Sequence, residues 1–554
     1  MGITCGKGVD NTACYPQHGV DSMWIVLLVE ECYTSLFGAI YRKQWYTLST
    51  DMCTDCGKQS EGKIVDDTPK GSSNSQPQLE ASAALSSPST PSDQKAETPF
   101  KNGRIQPHKY RSITRKIFTL AIPALGSLIA EPLFTFIDSA MVGNLGTQQL
   151  AGLSVASQIL QTVIVLFVFL AYSTTSLTAR ALGSGDRAHA FAQGMNATIL
   201  ALGLGILSTV ALIASAKPLV GLLTQDPEVS HQATMYLIAS APSLIGTLVG
   251  FAVVGMLRGL QDTRTPLIVT AVGTLVNIAL NATLMYGFKL GVAGSGIGTS
   301  VSLIGMASAY VAILYSHARA EKITLRPDAS GIAHAAIEGA PLIVRGVALR
   351  VAGLATIWPV SHLGASEVAS YQVVLTIWTL ASFILDSLAI ASQSLVGFAV
   401  GKGSSSELRE LLKVLTIWGL GVGFILTVLI AFLSPWLPLT FGSDPVMHEL
   451  AKWGLAASVL GFPFCGVVFM LDGVLLGAGD NMFFAIAGPL QLAILLPALG
   501  VVEYLRQAGA ASSTIVVGVW LAYALVYLGA RFAANIWRTW FSEGGLLRSM
   551  SATS

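Results

Sequence analysis

The second half of this chain repeats the first half at a constant offset of 218 residues. The landmarks that recur are prolines, glycines and Asp-Pro pairs, and they match as Pro123 with Pro341, Gly146 with Gly364, Gly183 with Gly401, Asp226-Pro227 with Asp444-Pro445, and Gly259 with Gly477. Because the offset is the same at every landmark, the two copies differ by almost no insertion. Whatever fold the first copy adopts, the second copy is expected to adopt as well.

The composition excludes a water-soluble fold. Of the 554 residues, 52% are hydrophobic and only 11% are charged, whereas soluble chains carry about 25% charged residues. Apolar stretches long enough to cross a bilayer recur along both copies, and in lipid such stretches form helices. We predict twelve, near 116–141, 151–175, 191–214, 231–256, 266–288, 292–316, 333–360, 369–394, 411–433, 449–474, 481–501 and 513–535.

Six spans per copy return the chain to the side from which it started, so both copies have the same orientation in the membrane. The predicted fold class is therefore an all-α polytopic membrane protein, with two six-helix repeats related by a parallel pseudo-two-fold axis and a pathway between them. The expected domains are a first lobe at 101–330 and a second lobe at 331–540. A poorly structured extension at 1–100, rich in Ser, Pro and Gln over 71–94, and a tail at 541–554 flank them.

The basic residues are distributed unevenly between the two sides of the predicted bundle. Six precede the first span and ten lie at the even-numbered connections, against four at the odd-numbered ones. This bias predicts that both termini face the cytoplasm. We expect a multi-pass protein of the plasma or inner membrane, or of an organelle membrane in a eukaryote.

Ionisable groups inside spans are costly and usually face the bundle interior. In the first copy these are Glu131 and Asp138, which lie seven residues apart and so on nearly the same helix face. We expect both to couple cation binding to transport, because a carboxylate away from water can take up and release a proton near neutral pH. Pro132 is expected to kink this helix. Asn277 and Asn281, four residues apart, could support the site or only join helices.

The second copy has a different set of polar residues in its spans. Arg345 and Arg350 lie in its first span, Asp386 and Gln393 in its second, and Asp472 in its fourth. We expect them to line the cavity or to form an ion-pair network. An arginine in the cavity could attract an anionic group.

No motif in the sequence indicates an enzyme. No Ser/His/Asp set or His-rich cluster is present, and the single CxxC at Cys53 and Cys56 is a weak metal signal. We expect no resident cofactor or metal, only H⁺ or Na⁺ as a transported coupling ion. The expected partners are a small-molecule substrate and the lipid bilayer, without nucleic acid, and the protein is expected to function as a monomer.

Several stretches together resemble the multidrug and toxic compound extrusion (MATE) family, specifically its DinF-like branch. They cover about 110–540 and include AIPALGSLIAEPLFTFIDSAMVGNLG, ARALGSGD, MLRGLQDTRTP, VNIALN, GVAGSGIGT and LDSLAIASQSLVG. The resemblance implies a V-shaped pair of lobes that exports compounds by cation-driven alternating access. Asp138 matches the family's proton-coupling acid, and Asn277 and Asn281 match fifth-helix polar positions. Some members carry Asp at the latter position, so Asn281 concentrates the expected coupling on Asp138.

Three alternatives remain open from the sequence. A lipid-linked precursor flippase of the same superfamily would use Arg345 and Arg350 as anion contacts. A major-facilitator-type carrier also has two parallel six-helix halves, but the connection after span two, ARALGSGDRAHA, lacks that family's acidic-basic signature. A membrane receptor or enzyme would bind a ligand without moving it.

Overall fold

The computed structural model describes residues 100–101, 104–105, 107–323 and 326–542. Residues 1–99 of the expected N-terminal extension and most of the expected C-terminal tail lie outside these residues. A two-residue antiparallel pair, Phe100–Lys101 with Arg104–Ile105, precedes the first helix. The rest of the described chain is helical, as the sequence predicts.

Six spans make up the first lobe. Their bounds are Pro107–Gly143 (span 1), Thr147–Phe167 with Phe169–Gly183 (span 2), Arg187–Leu223 (span 3), Pro227–Ser240 with Ser243–Gly259 (span 4), Arg264–Ala282 continued by a π-turn at Thr283–Gly287 (span 5), and Gly291–Ala320 (span 6).

Six further spans make up the second lobe. Their bounds are Ala329–Ser361 (span 7), Ala365–Gly401 (span 8), Ser405–Leu433 (span 9), Pro445–Ser458 with Phe462–Ala478 (span 10), Asn481–Gln507 (span 11), and Ser512–Leu521 with Leu528–Ile536 and intervening and terminal π-turns (span 12). Short 3-10 turns at Leu437–Thr440 and Val459–Gly461 complete this lobe.

The predicted number of spans agrees with the structure. Within the described residues, eleven helices are long and apolar enough to cross a membrane, and the two helices of span 4, bent by 47°, make a twelfth. The equivalent place in span 10 carries the 3-10 turn Val459–Gly461, so both copies interrupt their fourth span. The repeat therefore includes this interruption as well as the lengths of the two helices that flank it.

Helix starts are fixed by capping side chains that the two copies share. Asp226 and Asp444, at equivalent positions, accept hydrogen bonds from the first backbone N–H groups of spans 4 and 10, and each is followed by a proline. Asp328 caps span 7 in the same way. The Ser330 hydroxyl and two backbone N–H groups that donate to Asp328 lower the pKa of its carboxyl.

The first span of each lobe begins against the other lobe. The early part of span 1 contributes Ile117 and Leu120 to an apolar core formed with spans 8, 9 and 10, whereas its late residue Val142 packs among spans 2 to 6. Span 7 does the converse, with Leu342 in a first-lobe core and Val360 in a second-lobe core. Each of these helices therefore connects both lobes mechanically.

Candidate functional site

A cavity of about 720 Å³ lies between the two lobes. Its wall is mainly apolar and aromatic, with polar groups from spans 1, 2, 4 to 8, 10 and 12. This is the usual composition of a small-molecule site. The acids in its wall are Glu131, Asp138, Asp386 and Asp472, and the arginines are Arg258, Arg345 and Arg531.

The first-lobe side of the cavity is organised around Asp138, which is 6% exposed. Its Oδ1 accepts hydrogen bonds from Asn281 Nδ2 at 2.8 Å and from Ser295 Oγ at 2.5 Å. Asn281 Nδ2 also donates to Asn277 Oδ1 at 3.1 Å, and Asn277 Nδ2 donates to Thr299 Oγ1 at 3.5 Å. We call these five residues the Asp138 cluster. It ties span 1 to spans 5 and 6.

The Asp138 cluster contains one buried acceptor without a donor. Asn281 Oδ1 has no hydrogen-bond partner, although Asn281 is fully buried. This oxygen is directed at the backbone of Gly298 on span 6, where a Cβ would collide with it. An unsatisfied buried acceptor is unusual and often marks a functional group. It could accept a hydrogen bond from a proton added to the cluster.

Glu131 lies seven residues before Asp138 on span 1 and also lines the cavity. Its side chain is exposed to the cavity and forms no hydrogen bond or ion pair with the described residues. Span 1 continues through Pro132 as an unbroken α-helix. The predicted kink at Pro132 stays a prediction.

The second-lobe side is organised around Asp472. Arg345 and Arg531 both donate to Asp472 Oδ2, the latter at 2.5 Å, and Asn535 Nδ2 donates to Oδ1 at 2.6 Å. We call these four residues the arginine cluster. It joins spans 7, 10 and 12, and all three charged side chains are largely buried.

Asp472→Asn is expected to lower the stability of the protein, because it leaves two buried guanidinium groups without a counter-charge. Breaking a buried ion pair costs about 3–5 kcal/mol, and water in the cavity places this case at the lower end. Thermal unfolding in detergent should show a midpoint several degrees lower. The control is Glu503→Gln, which removes the partner of Arg506 in a pair between neighbouring turns of span 11. An equal, small shift for both variants would contradict a stabilising role for Asp472.

The remaining polar residues singled out in the sequence are placed differently. Gln393 donates through Nε2 to the Tyr172 carbonyl across the lobe interface at 2.7 Å. Asp386 lines the cavity but forms no ion pair with the described residues. Arg350 is exposed and is not part of the cavity wall, which corrects the expectation that it contributes there. Five residues beyond Arg345, it points roughly 140° around span 7.

The sequence did not single out four of the residues that build these clusters. Ser295 and Thr299 lie four apart in the glycine-rich start of span 6. Arg531 and Asn535 lie four apart in span 12. In both cases polar residues at this spacing share one helix face, and that is the signal by which they could have been found.

The lobes meet through a reciprocal contact at the ends of spans 2 and 8. Gly183 packs against the Phe398 carbonyl and Gly401 against the Arg180 carbonyl, so closely that neither position has room for a Cβ. Arg180 and Phe398 are themselves equivalent in the repeat. The equivalent serines Ser176 and Ser394 add hydrogen bonds to carbonyls of the opposite lobe at 3.1 and 2.7 Å. We call this set the inter-lobe contact.

The charged clusters do not follow the repeat. Thr356, the equivalent of Asp138, is bonded to the Tyr371 hydroxyl at 2.6 Å, and Val254 is the equivalent of Asp472. No group of three or more His, Cys, Asp or Glu side chains suited to a metal is found in the part of the chain that the structure describes. The helices of the two lobes are therefore equivalent, whereas the charged side chains that line the cavity differ between the lobes.

The MatE family model matches residues 123–283 and 341–497, one segment in each lobe. Protein DETOXIFICATION 44, chloroplastic, from Arabidopsis thaliana is 28% identical over 84% of this chain and 90% of its own length. DNA damage-inducible protein F from Escherichia coli is 26% identical over 70% of this chain and 87% of its length. The Vibrio cholerae MATE transporter VcmN in the bent form superposes with a TM-score of 0.72 at 18% identity, covering 80% of this chain and 99% of that one.

Proposed function

The chain belongs to the MatE family of multidrug and toxic compound efflux transporters, and on that premise we propose that it exports lipophilic or cationic small molecules in exchange for protons. Alternating access moves the compound through the cavity between the lobes. The observation that carries the proposal is the Asp138 cluster, in which one buried titratable group opens onto the cavity and ties span 1 to spans 5 and 6.

The surroundings of Asp138 favour a proton over Na⁺ as the coupling ion. The neighbouring Asn281 amide and Ser295 hydroxyl direct hydrogen atoms at the carboxylate. A hard metal cation instead needs several oxygen lone pairs directed at it. A proton on Asp138 needs only one acceptor, and rotation of the Asn281 amide, which now presents Nδ2 to Asp138, would supply the unpartnered Oδ1.

Protonation of Asp138 alters the link between the lobes through span 1. The neutral acid must donate a hydrogen bond where the charged acid only accepted them, so the cluster rearranges. Because span 1 begins in the second-lobe core and ends beside Asp138, a shift at its end changes how the lobes meet. The same shift of span 1 displaces Glu131, and this displacement promotes release of the substrate. The proton therefore binds with different affinity to the two conformations of the alternating-access cycle, and coupling requires this difference.

On this proposal the inter-lobe contact closes the cavity on the side of the even-numbered connections, which the basic-residue bias assigns to the cytoplasm. The protein then works in a cell or organelle membrane with its termini on the cytoplasmic side. Reciprocal contact between equivalent residues behaves like a two-fold interface inside one chain. It can open as a unit when the lobes rock.

Proteoliposomes with separately imposed gradients test the proposal. A pH gradient alone should drive uptake of a permanently charged cationic dye by the wild-type protein, and a sodium gradient alone should not. Protein-free vesicles and vesicles without a gradient are the controls. Uptake driven only by sodium would refute proton coupling, and the absence of driven uptake under either gradient would refute the proposed exchange.

Gly298→Ala is expected to impair proton-driven dye uptake without removing any polar group. The added methyl group collides with Asn281 Oδ1 and displaces the amide that donates to Asp138. We expect the uptake rate to fall roughly ten-fold, since small displacements in a site cost much activity.

The matched control is Gly305→Ala on the same helix, where a Cβ meets nothing within 4 Å. This variant should transport like the wild type. If Gly298→Ala did too, the geometry of Asn281 would be irrelevant to coupling.

A further inference from the structure

The start of span 1 is attached to span 9 of the second lobe by polar and aromatic contacts. Lys109 Nζ lies 3.2 Å from Glu410 Oε1, and Trp418 Nε1 donates to Thr114 Oγ1 at 3.0 Å. The rings of Phe118 and Trp418 meet edge to face, with their centres 4.7 Å apart. We call these five residues the span 1–span 9 contact.

Exposed cations border this contact. Four of them form no ion pair with the described residues, and these are Arg111, Arg115, Lys116 and Arg409. Arg115 follows Thr114 of the contact, and Arg409 precedes Glu410. Because neighbouring residues on a helix are about 100° apart, these side chains lie at the edge of the contact rather than within it.

The acids of the same helical turns do not neutralise these cations. Within residues 107–116 and 405–413 the acids are Glu407 and Glu410. Glu407 is paired with Lys402, and Glu410 is paired with Lys109. The edge of the contact therefore carries a net positive charge, on the side of the even-numbered connections.

An exposed apolar stripe runs from the cations along each helix. Residues seven apart on a helix lie on nearly the same face, and those that follow Arg115 at this step are Ile122, Ile129 and Phe136. All three are exposed and lie outside the cavity wall. On span 9, Leu420 is likewise exposed three turns after Arg409. In a bilayer these two faces meet the acyl chains of lipids.

An anionic phospholipid complements both parts of this surface. Its phosphate fits the donor fork of an arginine, its acyl chains fit the apolar stripes, and clusters of four or more cations beside a span attract anionic headgroups. We propose that an anionic phospholipid of the surrounding bilayer binds across the starts of spans 1 and 9 and holds span 1 on the second lobe. Lipid binding at this surface does not depend on the proposed transport cycle.

Basic residues that only fix the orientation of the protein in the membrane would behave differently. Such residues would attract anionic lipid wherever they lie on that side of the membrane. Arg264, Arg319 and Arg326 lie on the same side in the first lobe, are exposed, and form no ion pair with the described residues. Their removal therefore provides a control that loses the same three charges at a different place.

The experiment compares the wild type with two triple variants. The site variant carries Arg111→Gln, Arg115→Gln and Arg409→Gln, and the control variant carries Arg264→Gln, Arg319→Gln and Arg326→Gln. The purified full-length protein in detergent is titrated with pyrene-labelled phosphatidylglycerol or pyrene-labelled phosphatidylcholine, and binding is followed by energy transfer from tryptophan. Backbone hydrogen exchange over residues 107–118 is then measured in nanodiscs of each lipid.

We expect the wild type and the control variant to bind phosphatidylglycerol saturably, and more tightly than phosphatidylcholine. The site variant should bind it at least roughly five-fold more weakly, because charge-assisted hydrogen bonds to the phosphate are lost. Exchange over residues 107–118 should be slower in phosphatidylglycerol for the wild type and the control variant, and independent of the lipid for the site variant. Unchanged exchange over spans 5 and 6 checks that the site variant is folded.

Equal binding of the two lipids by the wild type would overturn the proposal without reference to any variant. An equal loss of phosphatidylglycerol binding in the two triple variants would overturn it as well, since the effect would then belong to the whole side of the membrane. Displacement of the lipid by inorganic phosphate would make a soluble anion the occupant and would contradict a lipid site. Failure of the proposed exchange looks different, because it would leave lipid binding and hydrogen exchange as expected here.

Discussion

Asp138→Asn is expected to abolish proton-driven uptake, with a loss of roughly a hundred-fold or more relative to the wild type. Asparagine has nearly the same shape and can keep one hydrogen bond to the cluster, but it cannot titrate. A gradient shifts an equilibrium only through a group whose proton affinity differs between the two states. Substrate exchange without a gradient should persist, because it requires only the loaded carrier to reorient.

The control is Asp226→Asn, which makes the same chemical change at the exposed cap of span 4, where Asn caps as well as Asp. Both variants are measured in the same proteoliposomes with the pH gradient and with substrate exchange. Proton-driven uptake retained by Asp138→Asn would remove Asp138 from the coupling scheme. Loss of exchange as well would show that the residue is needed for folding or binding.

Gly401→Val is expected to reduce transport at least roughly ten-fold by preventing the inter-lobe contact from closing. Its side chain would occupy the space of the Arg180 carbonyl, and backbone cannot move aside as a flexible side chain can. The state in which the inter-lobe contact is closed, one of the two states needed for alternating access, is then lost. A cysteine placed at Ser176, now 1% exposed, should become reactive toward a water-soluble maleimide in a background without the native cysteines.

Gly421→Val on span 9 is the matched control, since a Cβ there meets nothing within 4 Å and the cost of a β-branched residue in the helix is the same. It should transport normally and leave the cysteine at 176 unreactive. Normal transport by Gly401→Val would mean that the contact is not part of the cycle.

The spans could be predicted because two independent signals agree. Hydropathy places each helix, and the 218-residue offset requires a matching one in the other copy. The observed span 2 at 147–183 and span 8 at 365–401 obey the offset at both ends. The crossing of spans 1 and 7 between lobes was not predicted, since hydropathy does not say which neighbour a helix packs against.

Only some residues of the candidate site could be identified from the sequence. Asp138 and Asp472 stand out because a charge inside an apolar span is costly. Their partners, Ser295 and Arg531, come from spans far away in the chain and are brought close only by tertiary packing. The inter-lobe contact shows the same limit. The repeat makes Gly183 and Gly401 equivalent, but equivalence alone does not indicate that their helices touch.

Proton release on substrate binding tests the central claim most directly. Purified protein in detergent, held in weakly buffered solution with a pH-indicator dye, is mixed with the cationic dye used for transport. The account predicts release of about one proton per bound substrate by the wild type and none by Asp138→Asn. Absence of release from the wild type, or equal release from Asp138→Asn, would contradict the exchange of substrate for a proton at Asp138.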